Sequence, residues 1–203
     1  MEAVIEGAYN MMDMVTGDRQ KSQKIFPVIF SIFIFILINN WLGLFPGLGS
    51  ITYHETPLFR GGTADLNTTL ALAIFSVLGA NIFGVIIVGG WNYFNKFINL
   101  KTLLAIPGKL RHEPTAVLVN PITFFVGLIE IVSEIAKVAS LAFRLFGNIF
   151  AGEVLLASIS AMMAWGVPLP FMFLEIIVGL IQALIFSVLT LVYFTIASTE
   201  HGH

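Results

Sequence analysis

Two charge-free apolar runs constrain this chain more than any other feature. Residues 25–46 and 67–90 contain no Asp, Glu, Lys or Arg. At about 1.5 Å per residue, a helix of either length crosses the roughly 30 Å hydrocarbon core of a bilayer. The composition agrees, because 57% of the 203 residues are hydrophobic and 11% are charged, whereas soluble domains carry about 25% charged residues. The sequence therefore predicts an all-α integral membrane protein with two ordinary transmembrane helices here.

The last apolar stretch, residues 115–199, is too long for two ordinary spans. It breaks at Gly-Val-Pro-Leu-Pro, residues 166–170, which gives segments 115–165 and 167–199. As a straight helix the first would exceed about 70 Å, so it must tilt, bend or lie partly along the membrane plane. We predict a hairpin of two long tilted helices. The alternative divides 115–165 into two spans, but the charges in its middle suit neither lipid nor a short loop.

The remaining segments are polar and set the orientation. Residues 1–24 alternate charged and apolar residues at roughly helical spacing, which predicts an amphipathic helix at the interface or in contact with a partner; a solvated tail is the alternative. Segment 1–24 has three Lys and Arg, loop 47–66 has one and loop 91–114 has four. By the positive-inside rule, 47–66 is an outer loop, and 91–114 and both chain ends are cytoplasmic. No soluble domain interrupts the chain, so 1–203 is predicted to be a single membrane domain.

Composition excludes several classes of function. The chain has no cysteine, which rules out disulfides and thiolate metal sites. Its four histidines are scattered and show no metal-ligand spacing, so we expect no metal and no cofactor. A net charge of −2 gives no argument for nucleic-acid binding. Since no nucleophile constellation or phosphate-binding loop is present, any nucleotide chemistry must belong to other chains.

Six charged residues interrupt the last apolar stretch and require an explanation. They are Glu130, Glu134, Lys137, Arg144, Glu153 and Glu175. A charge at the centre of a membrane helix costs at least about 2.5–3.5 kcal/mol. Arg144 is the hardest to explain structurally, because no acidic residue of this sequence is placed to neutralise it. We therefore expect its carboxylate partner on another chain.

Helical geometry groups these residues by face. At about 100° per residue, one polar stripe contains Glu130, Lys137, Ser140, Arg144 and Asn148. Glu153 lies about 180° from Arg144. Glu175 and Gln182 share a face of the last helix, and Gly179 between them permits close approach of another backbone. With the predicted orientation, polar groups extend inward from both surfaces toward Arg144, as two aqueous half-paths separated by a fixed positive charge would.

Structural explanations stay open for several of these residues. One explanation is that Lys137 only forms an ion pair with Glu134 or Glu130. A second is that Glu134 faces solvent at the inner interface. The others are a protonated, hydrogen-bonded pair of Glu153 and Glu175, and ordinary interhelical hydrogen bonds from Gln182 and Asn148.

Four motifs resemble subunit a of the rotary F-type ATP synthase. They are SLAFRLFGNIFAGEVLL (140–156), IQALIFSVLTLVYFTIAS (181–198), NNWLGLFP (39–46) and TADLN (63–67). The likeness covers nearly the whole chain. The arginine segment, combined with the downstream glutamine at its spacing, is highly specific.

This resemblance implies a role for each matching residue in the stator of the Fo motor. Arg144 would face the carboxylates of a rotating c-subunit ring and block a leak. The outer proton path would comprise Glu153, Glu175, Gln182, Asn40, Thr63, Asp65 and Asn67. The inner path would comprise Asn148, Glu130, Ser133 and Ser140. Many relatives carry one Glu and one His in the outer pair, whereas this chain has Glu at both positions.

The resemblance also implies partners and location. They are the c-ring, the b subunits of the peripheral stalk, other ATP synthase subunits and the lipid bilayer of an energy-transducing membrane. Relatives usually begin with a further membrane helix, so either that helix is absent here or the sequence is partial. A stand-alone channel or secondary transporter is the alternative function; no inverted repeat of the kind common in transporters is visible.

Overall fold

Five helices make up the part of the chain that the computed structural model describes, which is residues 2–44, 52–53, 56–57, 61–89, 116–163 and 166–198. They are α1 (Glu2–Thr16), α2 (Arg19–Leu42), α3 (Leu66–Val88), α4 (Ala116–Met162) and α5 (Pro168–Ser198). Between α2 and α3 lie a two-residue antiparallel pair, β1 (Thr52–Tyr53) and β2 (Thr56–Pro57), and a 3-10 turn, Gly62–Ala64. The predicted all-α membrane fold is confirmed.

The long helices are arranged as the hairpin prediction requires. Of the described helices, α2, α3 and α5 are each long and apolar enough to cross a membrane. The 47 residues of α4 form one continuous helix about 70 Å long at about 1.5 Å per residue. This is more than twice the thickness of a hydrocarbon core of about 30 Å, so α4 is too long for an ordinary span, and its tilt stays a prediction. Helices α4 and α5 pack against each other and against α3.

The first two helices meet at a capped corner. Helix α1 ends at Thr16, Gly17 has a positive φ of 66°, and the Asp18 side chain caps α2 by accepting from the Gln20 N–H at 2.9 Å. Helix α2 therefore begins six residues before the predicted span at 25–46, because Asp18 is a favourable N-cap residue and the helix continues through the charged residues that follow it. Loop 91–114 and half of loop 47–66 lie outside the described residues, and the division into segments stays a prediction.

Helix α1 packs on the protein along one face. Met12 is buried in a cluster with Ile25 and Phe194, and the Tyr9 ring stacks on Phe26 with centroids 4.0 Å apart. Met14 on the other side of α1 is exposed. The amphipathic segment therefore forms a helix that packs against α2 and α5. It is not the solvated tail of the alternative.

The core of the bundle joins α2, α3, α4 and α5. Its buried members are Ile32, Ile36, Ala73, Val77, Leu141, Ala142, Leu145, Ala183 and Phe186. Small residues let membrane helices approach closely, and Ala73 and Ala183 are fully buried. Since Leu141, Ala142 and Leu145 turn inward, the intervening Phe143 and Arg144 are left on the outer surface of the bundle.

Candidate functional site

Arg144 lies on an exposed face of α4. Its Nη2 donates to the Ser140 Oγ, one turn earlier, at 3.3 Å. The neighbouring Leu141 and Leu145 are buried, so they anchor the helix while the guanidinium points away from the bundle. Among the residues that the structure describes, no carboxylate forms an ion pair with Arg144. The positive charge is therefore available to a group outside this bundle.

Lys137, unlike Arg144, forms an ion pair within the described part of the chain. Its Nζ donates to Glu134 Oε1 at 2.5 Å, which is one of the two pairings that the sequence leaves open. Glu134 Oε2 accepts from the Asn81 Nδ2 of α3 at 3.2 Å, and Lys137 Nζ lies 5.4 Å from the ring centroid of Tyr193 on α5. Lys137 thus lines a small recess between α3, α4 and α5, whereas Arg144 is exposed.

This ion pair predicts a measurable coupling between Lys137 and Glu134. Both side chains are largely shielded, with 25% and 17% of their surface exposed. We expect a double-mutant cycle of Glu134→Ala and Lys137→Ala to give about 1–2 kcal/mol of coupling in the thermal stability of the purified complex, between the values for exposed and buried pairs. Additivity of the two single changes within about 0.5 kcal/mol would contradict the pairing.

Four of the predicted outer-path residues are buried polar groups. Glu175 and Gln182 lie on α5, Asn40 on α2 and Thr63 in the 3-10 turn, and all are less than a tenth exposed. Within the described part of the chain, Asn40 Oδ1, Thr63 Oγ1 and Gln182 Nε2 have no hydrogen-bond partner. Buried polar atoms in proteins are normally satisfied by protein or water. The placement fits a polar path that reaches into the bundle.

Gly152 gives Glu175 its position. A Cβ added to Gly152 would overlap the Glu175 carboxylate, so α4 and α5 approach here only because residue 152 has no side chain. Glu153, the next residue, is close enough to interact electrostatically with Glu175. The two predicted outer acids therefore lie within range of each other's charge. Sequence reasoning missed Gly152, although a glycine next to an intramembrane acid is a signal of close helix approach.

The other predicted residues lie apart from this buried group. Asp65 is exposed and caps α3, since its side chain accepts from the Asn67 N–H at 2.9 Å. Asn67 is also exposed.

On α4, Ser133 is exposed, while Glu130 and Asn148 are half-buried. Both Ser133 and Glu130 lie more than two turns before Arg144, so the inner residues follow one helix without forming a closed cluster.

Comparison with known proteins agrees with this arrangement. A sequence model described as "ATP synthase A chain" matches residues 1–195. The whole chain is 34% identical to ATP synthase subunit a of Syntrophobacter fumaroxidans, covering 71% of that protein, and 34% identical to that of Geobacter sulfurreducens, covering 74%. Over 99% of the chain it is 31% identical to subunit a of Campylobacter fetus, covering 77% of that protein. The chain therefore belongs to the ATP synthase subunit a family.

Proposed function

We propose that Arg144 couples proton flow across the membrane to rotation of a ring of c subunits. As a member of the subunit a family, the chain is a stator subunit of the ATP synthase Fo sector, and its partners are other ATP synthase subunits. The observation that supports Arg144 in this role is its exposed guanidinium, which has no carboxylate partner among the described residues. A family model spanning residues 1–195 does not favour a stand-alone channel or transporter.

In the coupling step, a carboxyl group of the ring alternates between its neutral and its charged form. A ring carboxyl group in contact with lipid is neutral, because desolvation disfavours its charged form. Beside Arg144 the charged form is favoured, so the carboxyl releases its proton into one half-path. It returns to lipid only after it accepts a proton from the other half-path. The membrane potential supplies about 2.3 kcal/mol per charge per 100 mV.

Arginine suits this role better than lysine. A buried lysine ammonium can lose its proton and would then relay protons directly between the two half-paths. The guanidinium keeps its charge, so it attracts the ring carboxylate and at the same time blocks a leak.

Two groups of residues serve the half-paths. Glu153, Glu175, Gln182, Asn40 and Thr63 form the outer path, with Asp65 and Asn67 at its mouth. Glu130, Ser133, Ser140 and Asn148 serve the inner path. In this orientation the carboxyl end is cytoplasmic, α4 contacts the c-ring, and b subunits hold the chain in place.

Removing both outer acids tests the outer path. We expect Glu153→Gln combined with Glu175→Gln to slow proton uptake from the outer side, because glutamine keeps the size and polarity but cannot exchange a proton. The measurement is proton flux through the reconstituted Fo complex. Glu134→Gln, which changes an ion-paired acid outside the outer group, serves as the control. Unchanged flux in the double variant would refute the assignment of these acids.

A further inference from the structure

The outer end of α2 contacts both α5 and the 3-10 turn through three consecutive residues. The Asn40 Nδ2 donates to the Gly179 carbonyl at 3.1 Å, and the Trp41 Nε1 donates to the Ile176 carbonyl at 3.2 Å. Asn39 lies against the turn, because a Cβ added to Gly62 would be 3.1 Å from the Asn39 Oδ1. The two acceptor carbonyls are one turn apart on α5, so both bonds act on the same face.

Gly179 makes this contact possible. A Cβ added there would lie 3.3 Å from the Asn40 Cβ, which is closer than side chains normally pack, and 3.7 Å from the Trp41 Cδ1, which is ordinary van der Waals contact. The absence of a side chain lets α2 reach the backbone of α5. A carbonyl oxygen has two lone pairs, so it can accept a side-chain hydrogen bond in addition to its helical one.

These hydrogen bonds can fix the position of α5 along α2, which apolar packing alone does not determine. Lower on α2, Ile32 and Ile36 contact α5 through the apolar core. Apolar contact is non-directional, whereas hydrogen bonds weaken steeply when distance or angle changes. The carbonyls of Ile176 and Gly179 lie along the chain between Glu175 and Gln182, so a sliding movement of α5 would displace both of those side chains.

We propose that Asn40 and Trp41 form a clamp that sets the axial position of α5 relative to α2. Trp41 is then a positioning residue for Glu175 and Gln182. This inference rests on the proposed function, since Glu175 and Gln182 act there in the outer path. A tryptophan at a membrane interface usually directs its N–H toward the headgroup region. Here the Trp41 N–H donates within the protein, to the carbonyl of Ile176, which directly follows the buried Glu175.

Trp41→Phe tests the clamp, because it keeps an aromatic ring and removes the donor. The measurement is ATP-driven pumping per assembled complex in inverted vesicles, where luminal pH reports the outer path and external pH the inner path. We expect about a fivefold lower rate, the change expected from losing one hydrogen bond of about 1 kcal/mol. The dependence on luminal pH should shift, while the dependence on external pH stays.

Two further variants isolate the hydrogen bond. A tryptophan analogue with sulfur in place of the indole N–H should reproduce the Trp41→Phe defect, and Ile38→Ala, at an exposed position one turn earlier, should pump normally. Full pumping with the sulfur analogue would overturn the proposal. So would a Trp41→Phe defect that reduces only the amount of complex, with an unchanged rate per complex and unchanged pH profiles.

Arg144→Ala in the same vesicles separates this proposal from the coupling mechanism. If Arg144→Ala stops pumping and Trp41→Phe pumps at the parent rate with parent pH profiles, the clamp alone is refuted. If Arg144→Ala pumps normally, the coupling mechanism itself is wrong.

Discussion

Arg144→Ala is expected to abolish ATP-driven proton pumping in the assembled complex. The variant removes the fixed cation that favours the charged form of the ring carboxylate, and it also removes the barrier between the two half-paths. We therefore expect pumping to stop while passive proton permeability of the Fo sector rises. Both quantities can be measured in reconstituted vesicles, with ATP present for pumping and with a potential alone for the leak.

Two variants serve as controls for the role of Arg144. Phe75→Leu changes an exposed side chain of α3 that belongs to neither half-path and keeps the Arg144 charge, so pumping should stay close to the parent rate. Arg144→Lys keeps a cation that can lose its proton, so coupling should be impaired even though a positive charge is present. Normal coupled pumping by Arg144→Ala would contradict the mechanism.

Gly152→Ala is the second change with a large expected effect. The new Cβ would occupy the space of the Glu175 carboxylate, and such overpacking costs about 1–3 kcal/mol. Either the acid moves or the two helices separate. A misplacement of about 1 Å can lower a rate about 100-fold, so we expect proton exchange with the outer side to fall by up to that factor. Pumping and passive flux through Fo are the measurements.

The matched variants for Gly152 separate geometry from general damage. Ala157→Ser also adds one heavy atom to α4, at an exposed position, and should leave proton exchange unchanged. Glu175→Asp shortens the acid by one methylene group, so in combination with Gly152→Ala it should recover part of the lost rate. If Gly152→Ala exchanges protons at the parent rate, the position of Glu175 over Gly152 has no functional importance.

The architecture could be predicted because membrane solvation leaves a chain few options. A run without charges and of sufficient length must be a helix that satisfies its own backbone, and 25–46 and 67–90 meet that condition. The start of α2 was placed six residues late, since the span was defined by its lack of charges and a helix can continue through charged residues. The cap at Asp18 was the available signal.

The site was predictable in its residue types and less so in its contacts. Spacing identified Arg144 and the acids, and it left Lys137 on the same stripe as Arg144. In the described part of the structure only Lys137 of the two is ion-paired, because its side chain reaches Glu134 and the Tyr193 ring, and only tertiary packing determines which way a long side chain turns. Gly152 and Trp41 act through neighbouring helices, and helical periodicity carries no information about which helix lies opposite.

A disulfide cross-link tests the central claim that the face of Arg144 meets a carboxylate-bearing helix of a partner chain. The sequence has no cysteine, so Ser140→Cys, one turn from Arg144 and exposed, would carry the sole thiol. We predict an oxidative cross-link to a cysteine one turn from the mid-membrane carboxylate of the c subunit. Phe75→Cys, exposed on α3, should give none. A cross-link from position 75 and none from position 140 would contradict the account.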